Sequence, residues 1–299
     1  MSYDEFKDAL LAELQDFYSH DANIYFKEVL KTNGIKLDGL NIVYDTEERI
    51  NPVIYINELY NRYADGELTF EEVVGQIIDI REKSSAEPAI IDVISDITDW
   101  DKISEYVYPF LINTESNQEL LEDLVSRPFL DLSIIYVIRI RGEAQDVWAS
   151  VKISKGMLGR YGVDEDALHE QAMMNLRNKD GFQVRSLFEV VRGLAHGDII
   201  PCDDCAPNMY VLSNESCNQG ASQLLNIGQM GEEYADRSFF VIPSSIHEAI
   251  LVDYEENADP EVINEMIREV NATVLDASDI LSDHAYFYDG KTRELSMCA

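Results

Sequence analysis

Apolar side chains recur every three to four residues in the first part of the chain, which is the spacing of an amphipathic helix. Ser2 and Glu5 form a capping-box pattern, in which a serine and a glutamate satisfy backbone N–H groups at a helix start. The pattern recurs at Thr69 and Glu72. The apolar residues that follow are Phe6, Leu10, Leu14 and Phe17, and then Val73, Val74, Ile77 and Ile78. We therefore expect residues 1–85 to form a mainly helical N-terminal region.

Two further helices are predicted later in the chain. One covers residues 164–178, with acids at its start and bases at its end, which suits the helix dipole. The other begins at Asp259, where Pro260 takes the first helical position. Its apolar stripe, which we expect to face the core, consists of Val262, Ile263, Met266, Ile267 and Val270.

Strands are predicted between these helices. Residues 129–141 are rich in β-branched and aromatic side chains, and residues 147–153 alternate as a partner strand would. Short apolar runs at 209–212, 238–242 and 249–252 are further strands, and residues 285–295 suggest a hairpin that turns at Asp289-Gly290. The expected fold class is α/β or α+β, with a mixed β-sheet flanked by helices. We expect 129–141, 147–153, 239–242 and 249–252 to share this sheet.

The domain prediction is a helical region at 1–85 and an α/β sheet domain at 86–299, joined by a linker at 83–87. In the alternative, the two form one compact unit. The chain has 299 residues, of which 46% are hydrophobic, so it can bury a core and is not a disordered polymer.

The net charge of the chain restricts its possible partners. The chain holds 57 acidic and 23 basic residues, for a net charge of −34. Such a surface repels nucleic acid and anionic membranes, so we expect no direct binding to either. We see no signal peptide and no apolar run of the roughly 18–20 residues that span a bilayer. With 4 cysteines and no disulfide framework, a cytoplasmic protein with reduced thiols is expected.

Common catalytic and cofactor motifs are absent from the sequence. It contains no P-loop, no dinucleotide fingerprint, no H-E-x-x-H and no G-x-S-x-G. We therefore assign no cofactor and no catalytic residue.

One weak metal candidate exists. Cys202 and Cys205 have the spacing of zinc ligands, and His196 and Cys217 could complete a tetrahedral set. The wider spacing is ordinary, there is no second such pair, and two aspartates between the thiols disfavour a redox-active thiolate. We favour plain loop cysteines and predict no metal.

The segment 243–248 (PSSIHE) is the best candidate site. It joins two predicted strands and places Ser244, Ser245, His247 and Glu248 at a strand end, where sheet proteins often present ligand-binding groups. We predict that these four residues bind a small polar ligand or a partner. In the structural alternative, a serine bonds the local backbone and His247 packs on the sheet. Farther along, Ser282, Asp283 and His284 precede the final hairpin, and His284 could approach His247 if that hairpin lies beside the 239–252 strands.

Four segments of the chain are distinctive when taken together: YDEFKDALL near the start, NPVIYINELYNRY at 51–63, VIPSSIHEAILV at 241–252 and LSDHAYFYD at 281–289. With these segments the chain resembles a bacterial protein family of unknown function that is common in anaerobic gut bacteria. The resemblance spans nearly the whole chain but implies no activity, cofactor or catalytic residue.

Three functions stay open from the sequence. The favoured one is a non-enzymatic interaction or regulatory protein with a strongly acidic surface, whose partner is a protein or a small polar ligand. A second is a polyanion mimic that occupies the basic groove of a DNA-binding protein, which requires aligned carboxylates. A third is a hydrolase that uses His247 with Ser244 or Ser245, which requires these groups to converge.

Overall fold

The structure is a computed structural model. It describes residues 1–19, 21–44, 51–83, 88–142, 148–194, 209–234, 236–243, 245–256 and 258–298. The chain divides into two compact units. The first comprises Met1–Lys31, Ile35–Ile97 and Ile140–Ala149, and the second comprises Thr32–Gly34, Thr98–Arg139 and Ser150–Ala299. Both contain helices and strands, so the predicted fold class is confirmed. Most of the predicted linker, 84–87, lies outside the described residues.

The first unit combines helices with a small sheet. Its helices are α1 (Tyr3–Tyr18), α2 (Asn57–Ala64), α3 (Phe70–Lys83) and α4 (Pro88–Ser95), and its strands are β1 (Ala22–Leu30), β2 (Lys36–Tyr44) and β3 (Val53–Tyr55). The strands pair antiparallel in the order β1-β2-β3. Asn33 and Gly34, which lie between β1 and β2 and are assigned to the second unit, adopt positive φ values of 59° and 69°. An Asn-Gly pair is a strong hairpin signal that the sequence analysis overlooked.

Helix α1 forms as its sequence predicts. Ser2 Oγ accepts from the Glu5 backbone N–H at 3.4 Å, and the Ser2 backbone N–H donates to Glu5 Oε2 at 2.8 Å, which completes the capping box. Leu10 and Leu14 are fully buried in the core of this unit. Phe17, which the sequence pattern groups with these residues, is exposed, and the residue four positions after Leu14, Tyr18, is buried instead.

The second unit contains two sheets. Its helices are α5 (Trp100–Ile103), α6 (Gln118–Leu121), α7 (Lys155–Tyr161), α8 (Glu165–Lys179), α9 (Leu187–Leu194) and α10 (Pro260–Thr273). Its strands are β4 (Val107–Asn113), β5 (Ser126–Phe129), β6 (Leu132–Arg141), β7 (Trp148–Lys152), β8 (Phe182–Ser186), β9 (Met209–Asn214), β10 (Phe239–Ile242), β11 (Ala249–Asp253), β12 (Tyr286–Asp289) and β13 (Glu294–Met297). The ends of β6 and β7 that lie within Ile140–Ala149 belong to the first unit.

The two sheets separate strands that were expected together. One has the order β4-β6-β5, with β7 also beside β6, and the other has the order β13-β12-β10-β11-β9-β8. The expectation that 129–141 and 239–252 share one sheet was therefore wrong, because apolar patterning identifies strands but not their neighbours. The described strand pairings whose register is known are antiparallel.

Strand β6 is the buried centre of its sheet. Residues Leu132 to Ile140 are all buried, as the apolar run predicts for a strand covered on both faces. The strand is shorter than predicted, because Leu130 adopts a positive φ of 56° and a turn at 130–131 separates it from β5. Asp131 lies in that turn, and its carboxylate is bonded by side chains that come much later in the sequence.

Candidate functional site

The described residues of the segment 243–248, which are 243 and 245–248, lie between β10 and β11. Ser245 is buried, and its hydroxyl oxygen accepts a hydrogen bond from the His247 backbone N–H at 3.1 Å. The Ser245 backbone N–H donates to the Glu248 carbonyl at 3.4 Å. Ser244 lies outside the described residues. The Ser245 hydroxyl thus stabilises the turn, which is a typical use of serine in such a segment.

His247 is oriented by groups from two other segments. Its Nδ1 accepts from the Gln219 backbone N–H at 3.3 Å, and its Nε2 lies 3.8 Å from Asp279 Oδ2. Because Nδ1 is an acceptor, we assign the proton of the neutral ring to Nε2. The contacts among described residues do not join the Ser245 hydroxyl to this ring, so the pair does not form a nucleophile with its base.

The residues around the His247 backbone are closely packed. The His247 carbonyl accepts from Ser213 Oγ at 2.8 Å, at the end of β9. A Cβ atom placed on Gly220 would lie 2.1 Å from Ser213 Oγ and 2.7 Å from the His247 carbonyl oxygen. Glycine is therefore the residue that lets the 3-10 helix Gly220–Gln229 begin against the turn.

A second cluster gathers around Asp131. Ser282 Oγ donates to Asp131 Oδ2 at 2.6 Å, and the Tyr286 hydroxyl donates to Asp131 Oδ1 at 2.6 Å. His284 Nδ1 lies 3.2 Å from Asp131 Oδ2. Burial raises the pKa of the Tyr286 hydroxyl well above its ordinary value, and the Asp131 carboxylate raises it further. Ser282 is fully buried, so this cluster holds the polypeptide together rather than presenting a nucleophile.

Only one half of this cluster was marked in the sequence, as the residues Ser282, Asp283 and His284 ahead of the final hairpin. Whether that hairpin lies beside the 239–252 strands was left open, and the structure pairs β12 with β10. Asp131 was not recognised as their partner. The available signal was a carboxylate within an otherwise apolar stretch of sequence.

A third polar group, centred on Asp180, was also missed. The Asp180 carboxylate, at the C-terminal end of α8, is buried and bonded to the Arg139 guanidinium. Asn214 Nδ2 donates to it at 3.1 Å and Gln223 Nε2 at 2.8 Å. The Arg139 guanidinium also stacks over the Tyr108 ring, 4.1 Å from its centroid. A buried charge pair with this many partners joins β6, β9 and α8 and is structural.

The zinc candidate is only partly described. His196, Cys202 and Cys205 lie outside the described residues. Cys217 is exposed, and Arg185 Nη2 donates to its sulfur at 3.2 Å. Within the described part of the chain, no group of three or more His, Cys, Asp or Glu side chains could hold a metal ion.

The surface of helix α10 differs from the one that its sequence predicts. Its N-cap and first residue, Asp259 and Pro260, are as predicted. Its buried face, however, consists of Asn264, Ile267 and Asn271. Most of the predicted apolar stripe faces solvent instead, with Val262 54%, Met266 62%, Val270 43% and, just beyond the helix, Val274 73% exposed.

Two parallel rows therefore run along the outer side of α10. The apolar row is Val262, Met266, Val270 and Val274. The acidic row, one residue earlier at each step, is Glu261, Glu265 and Glu269, all exposed. Residues four apart share one face of a helix, so each row is continuous, with a step of about 6 Å.

Glu261, the first glutamate of the acidic row, is bonded by two side chains of the same helix. Arg268 bonds the Glu261 carboxylate and lowers its pKa below the ordinary value, and Asn264 lowers it further. Glu261 thus stays ionised at a lower pH than an ordinary glutamate.

Comparison with known proteins identifies the family. A family model described as a family of unknown function, DUF5688, matches residues 3–290, and the chain belongs to that family. No curated protein and no solved structure matches the chain. Among the described residues, no helix is both long enough and apolar enough to cross a membrane.

Proposed function

We propose that this DUF5688 member is a non-enzymatic interaction protein whose α10 surface docks a basic amphipathic helix of a partner protein. The observation that carries the proposal is the apolar row of α10, in which Val262, Met266 and Val270 are 43–62% exposed. Contiguous exposed apolar surface rimmed by polar groups is typical of protein interaction sites.

The apolar row is suited to a helical partner. Side chains four residues apart form a ridge, and a second helix can lay its own apolar ridge beside it. Helix-in-groove recognition uses anchors at this spacing. Methionine at the centre of the row, Met266, supports the same use, because its flexible thioether adapts to different partner surfaces.

The acidic row selects the charge of the partner. Glu265 and Glu269 lie directly beside the apolar row, and a partner helix with lysine or arginine along one flank would bring opposite charges together. A second copy of this chain would place the two acidic rows near each other and would itself carry a net charge of −34. The occupant is therefore a basic segment of another protein.

The two alternatives have less support. A polyanion mimic binds its partner through carboxylates alone, so mimicry does not explain the exposed apolar row beside them. The hydrolase alternative needs the Oγ of Ser244 or Ser245 within reach of the His247 ring. Ser244 lies outside the described residues, and the Ser245 hydroxyl accepts from the His247 backbone N–H.

The proposal is tested with a designed probe: an 18-residue peptide of leucine and lysine in helical periodicity. Its binding is measured by fluorescence anisotropy in 150 mM NaCl. We expect Met266→Asp to weaken binding at least about tenfold, which corresponds to about 1.4 kcal/mol. The matched control is Met174→Asp on α8, which changes a methionine of 47% exposure and adds the same charge. We expect the control to change affinity less than about twofold.

A scrambled peptide of the same composition separates docking from charge attraction. Without helical periodicity it presents no apolar ridge, so it should bind at least about tenfold more weakly. Equal binding of the two peptides, or an equal loss in the two methionine variants, would contradict the proposal.

A further inference from the structure

A groove in the second unit lies apart from α10 and from the 243–248 turn. It runs between the last residues of the 3-10 helix Gly220–Gln229 and the β12–β13 hairpin, and its volume is about 810 Å³. Pockets of a few hundred to about 1,000 Å³ are the size that holds small molecules. Its lining includes two exposed arginines and a buried asparagine.

Two arginines, Arg177 and Arg293, line the groove. Arg293 Nη1 donates to the Gly228 carbonyl at 3.3 Å. Among the described residues, no carboxylate forms an ion pair with either guanidinium. Elsewhere in the second unit, the arginines at 127, 139, 237 and 268 each pair with an aspartate or a glutamate. Within the described part of the chain, two guanidiniums without a carboxylate partner thus line the same groove.

A buried amide supplies a third donor. Asn226 lines the groove and is only 5% exposed. Its Nδ2 has no hydrogen-bond partner within the part of the chain that the structure describes. Buried polar atoms are nearly always bonded, so an orphan donor beside a groove indicates a site for an acceptor. Guanidinium and amide donors both bond anionic oxygens.

The other residues that line the groove restrict the class of ligand that can bind. Phe129 and Phe287 give the groove aromatic walls. Asp289 and Glu294 also line it, and Asp289 Oδ1 accepts from the Lys291 backbone N–H at 2.8 Å. The two acids cancel the formal charge of the two arginines, and the chain as a whole repels anions. Recognition must therefore come from direct bonds to the donors, which excludes large polyanions.

We propose that this groove binds a small organic anion, in which a single carboxylate or phosphate group is attached to an apolar body. The anionic group bonds Arg177, Arg293 and Asn226, and the apolar body lies against Phe129 and Phe287. The site is independent of the α10 surface, so either proposal can fail without the other.

The test uses three probes of similar shape: benzoate, phenyl phosphate and the neutral benzyl alcohol. Binding is measured by calorimetry or by NMR titration. We expect at least one anion to bind at least about tenfold more tightly than the alcohol. Binding of benzoate alone identifies a carboxylate site, binding of phenyl phosphate alone identifies a phosphate site, and both outcomes support the proposal.

The variants Arg177→Gln and Arg293→Gln should each weaken binding about tenfold. The matched control is Arg160→Gln on α7, which removes the same charge from an exposed arginine outside the groove. Melting temperatures establish that each variant is folded. If a variant does not fold, NOEs from the probe ring to Phe129 and Phe287 in the wild-type protein test the same site. Equal affinity for the alcohol, an equal loss in the control, or an absence of those NOEs would overturn the proposal.

Discussion

Helices α1 and α10 have similar sequence patterns and opposite surfaces. Both begin with a capping residue and carry apolar side chains about every four residues. In α1 this row, which includes Leu10 and Leu14, is fully buried, whereas in α10 the row through Met266 faces solvent. Apolar periodicity therefore identifies an apolar face, but it does not establish that the face is turned inward.

The reason lies in what each helix packs against. Helix α1 packs in an apolar core, but α10 packs on the loop at 281–285, whose backbone needs hydrogen-bond partners. Asn264 Oδ1 accepts from the Ala285 backbone N–H at 2.8 Å, and Asn271 Nδ2 donates to the Ser282 carbonyl at 3.0 Å. The asparagine face turns inward because it satisfies this loop, and the apolar row is left outside.

The largest expected effect comes from truncating one apolar residue on each helix. Leu10→Ala should lower the free energy of unfolding by about 2–5 kcal/mol, because it leaves a cavity in a packed core. Met266→Ala should change it by less than about 0.5 kcal/mol, because the side chain is exposed. Denaturant unfolding measures both, and comparable losses would show that the row of α10 is buried in the free protein.

The next largest effect on stability is expected on the buried face of α10, which carries Asn264 and Asn271. Asn271→Ala should cost about 1–3 kcal/mol, because the Ser282 carbonyl loses a buried donor. The matched control is Asn178→Ala, which makes the same change at an exposed asparagine in the last turn of α8. Thermal unfolding compares the two, and the control should change stability by less than about 0.5 kcal/mol. If Asn271→Ala proved as mild as the control, the inward orientation of Asn271 would be contradicted.

The smallest effect concerns the first-turn glutamates. Bonds from Ser2 lower the pKa of Glu5, whereas chiefly Arg268 lowers the pKa of Glu261. Both carboxylates therefore contribute stability above their unfolded pKa, and the contribution is lost as the pH falls through the folded pKa. Carboxyl NMR titration should find both values below normal.

Salt distinguishes the two glutamates. In 1 M NaCl the pKa of Glu261 should rise toward its ordinary value, because an exposed ion pair is screened, while that of Glu5 should move less. A larger rise at Glu5 would show that its capping box does not persist in solution.

Local signals in the sequence predicted local structure well. The capping residues Ser2 and Asp259 begin their helices, and the apolar run in β6 forms a buried strand, because each depends on neighbours within a few residues. Residues that act through distant partners were not predictable. The assignment of β6 and β10 to different sheets is one case, and the orientation of α10 is another.

The candidate site shows the same limit. The 243–248 segment was found because its polar residues are adjacent in sequence, and its role as a ligand or partner site stays a prediction. The groove was not found, because Asn226 and the arginines at 177 and 293 are far apart in the sequence. Nothing in their local context marks them as neighbours.

The bonds of Asp131 also bear on how the protein is made. Its hydrogen bond from Ser282 spans 151 residues. At about 5–20 residues per second, synthesis separates the two by about 8–30 s, during which the carboxylate at the β5–β6 turn lacks its serine and tyrosine donors. Residues near the end of the chain thus complete the hydrogen bonds of Asp131, which was translated much earlier. A nascent chain that stalls before residue 281 would leave the β5–β6 turn incomplete and open to proteases and chaperones.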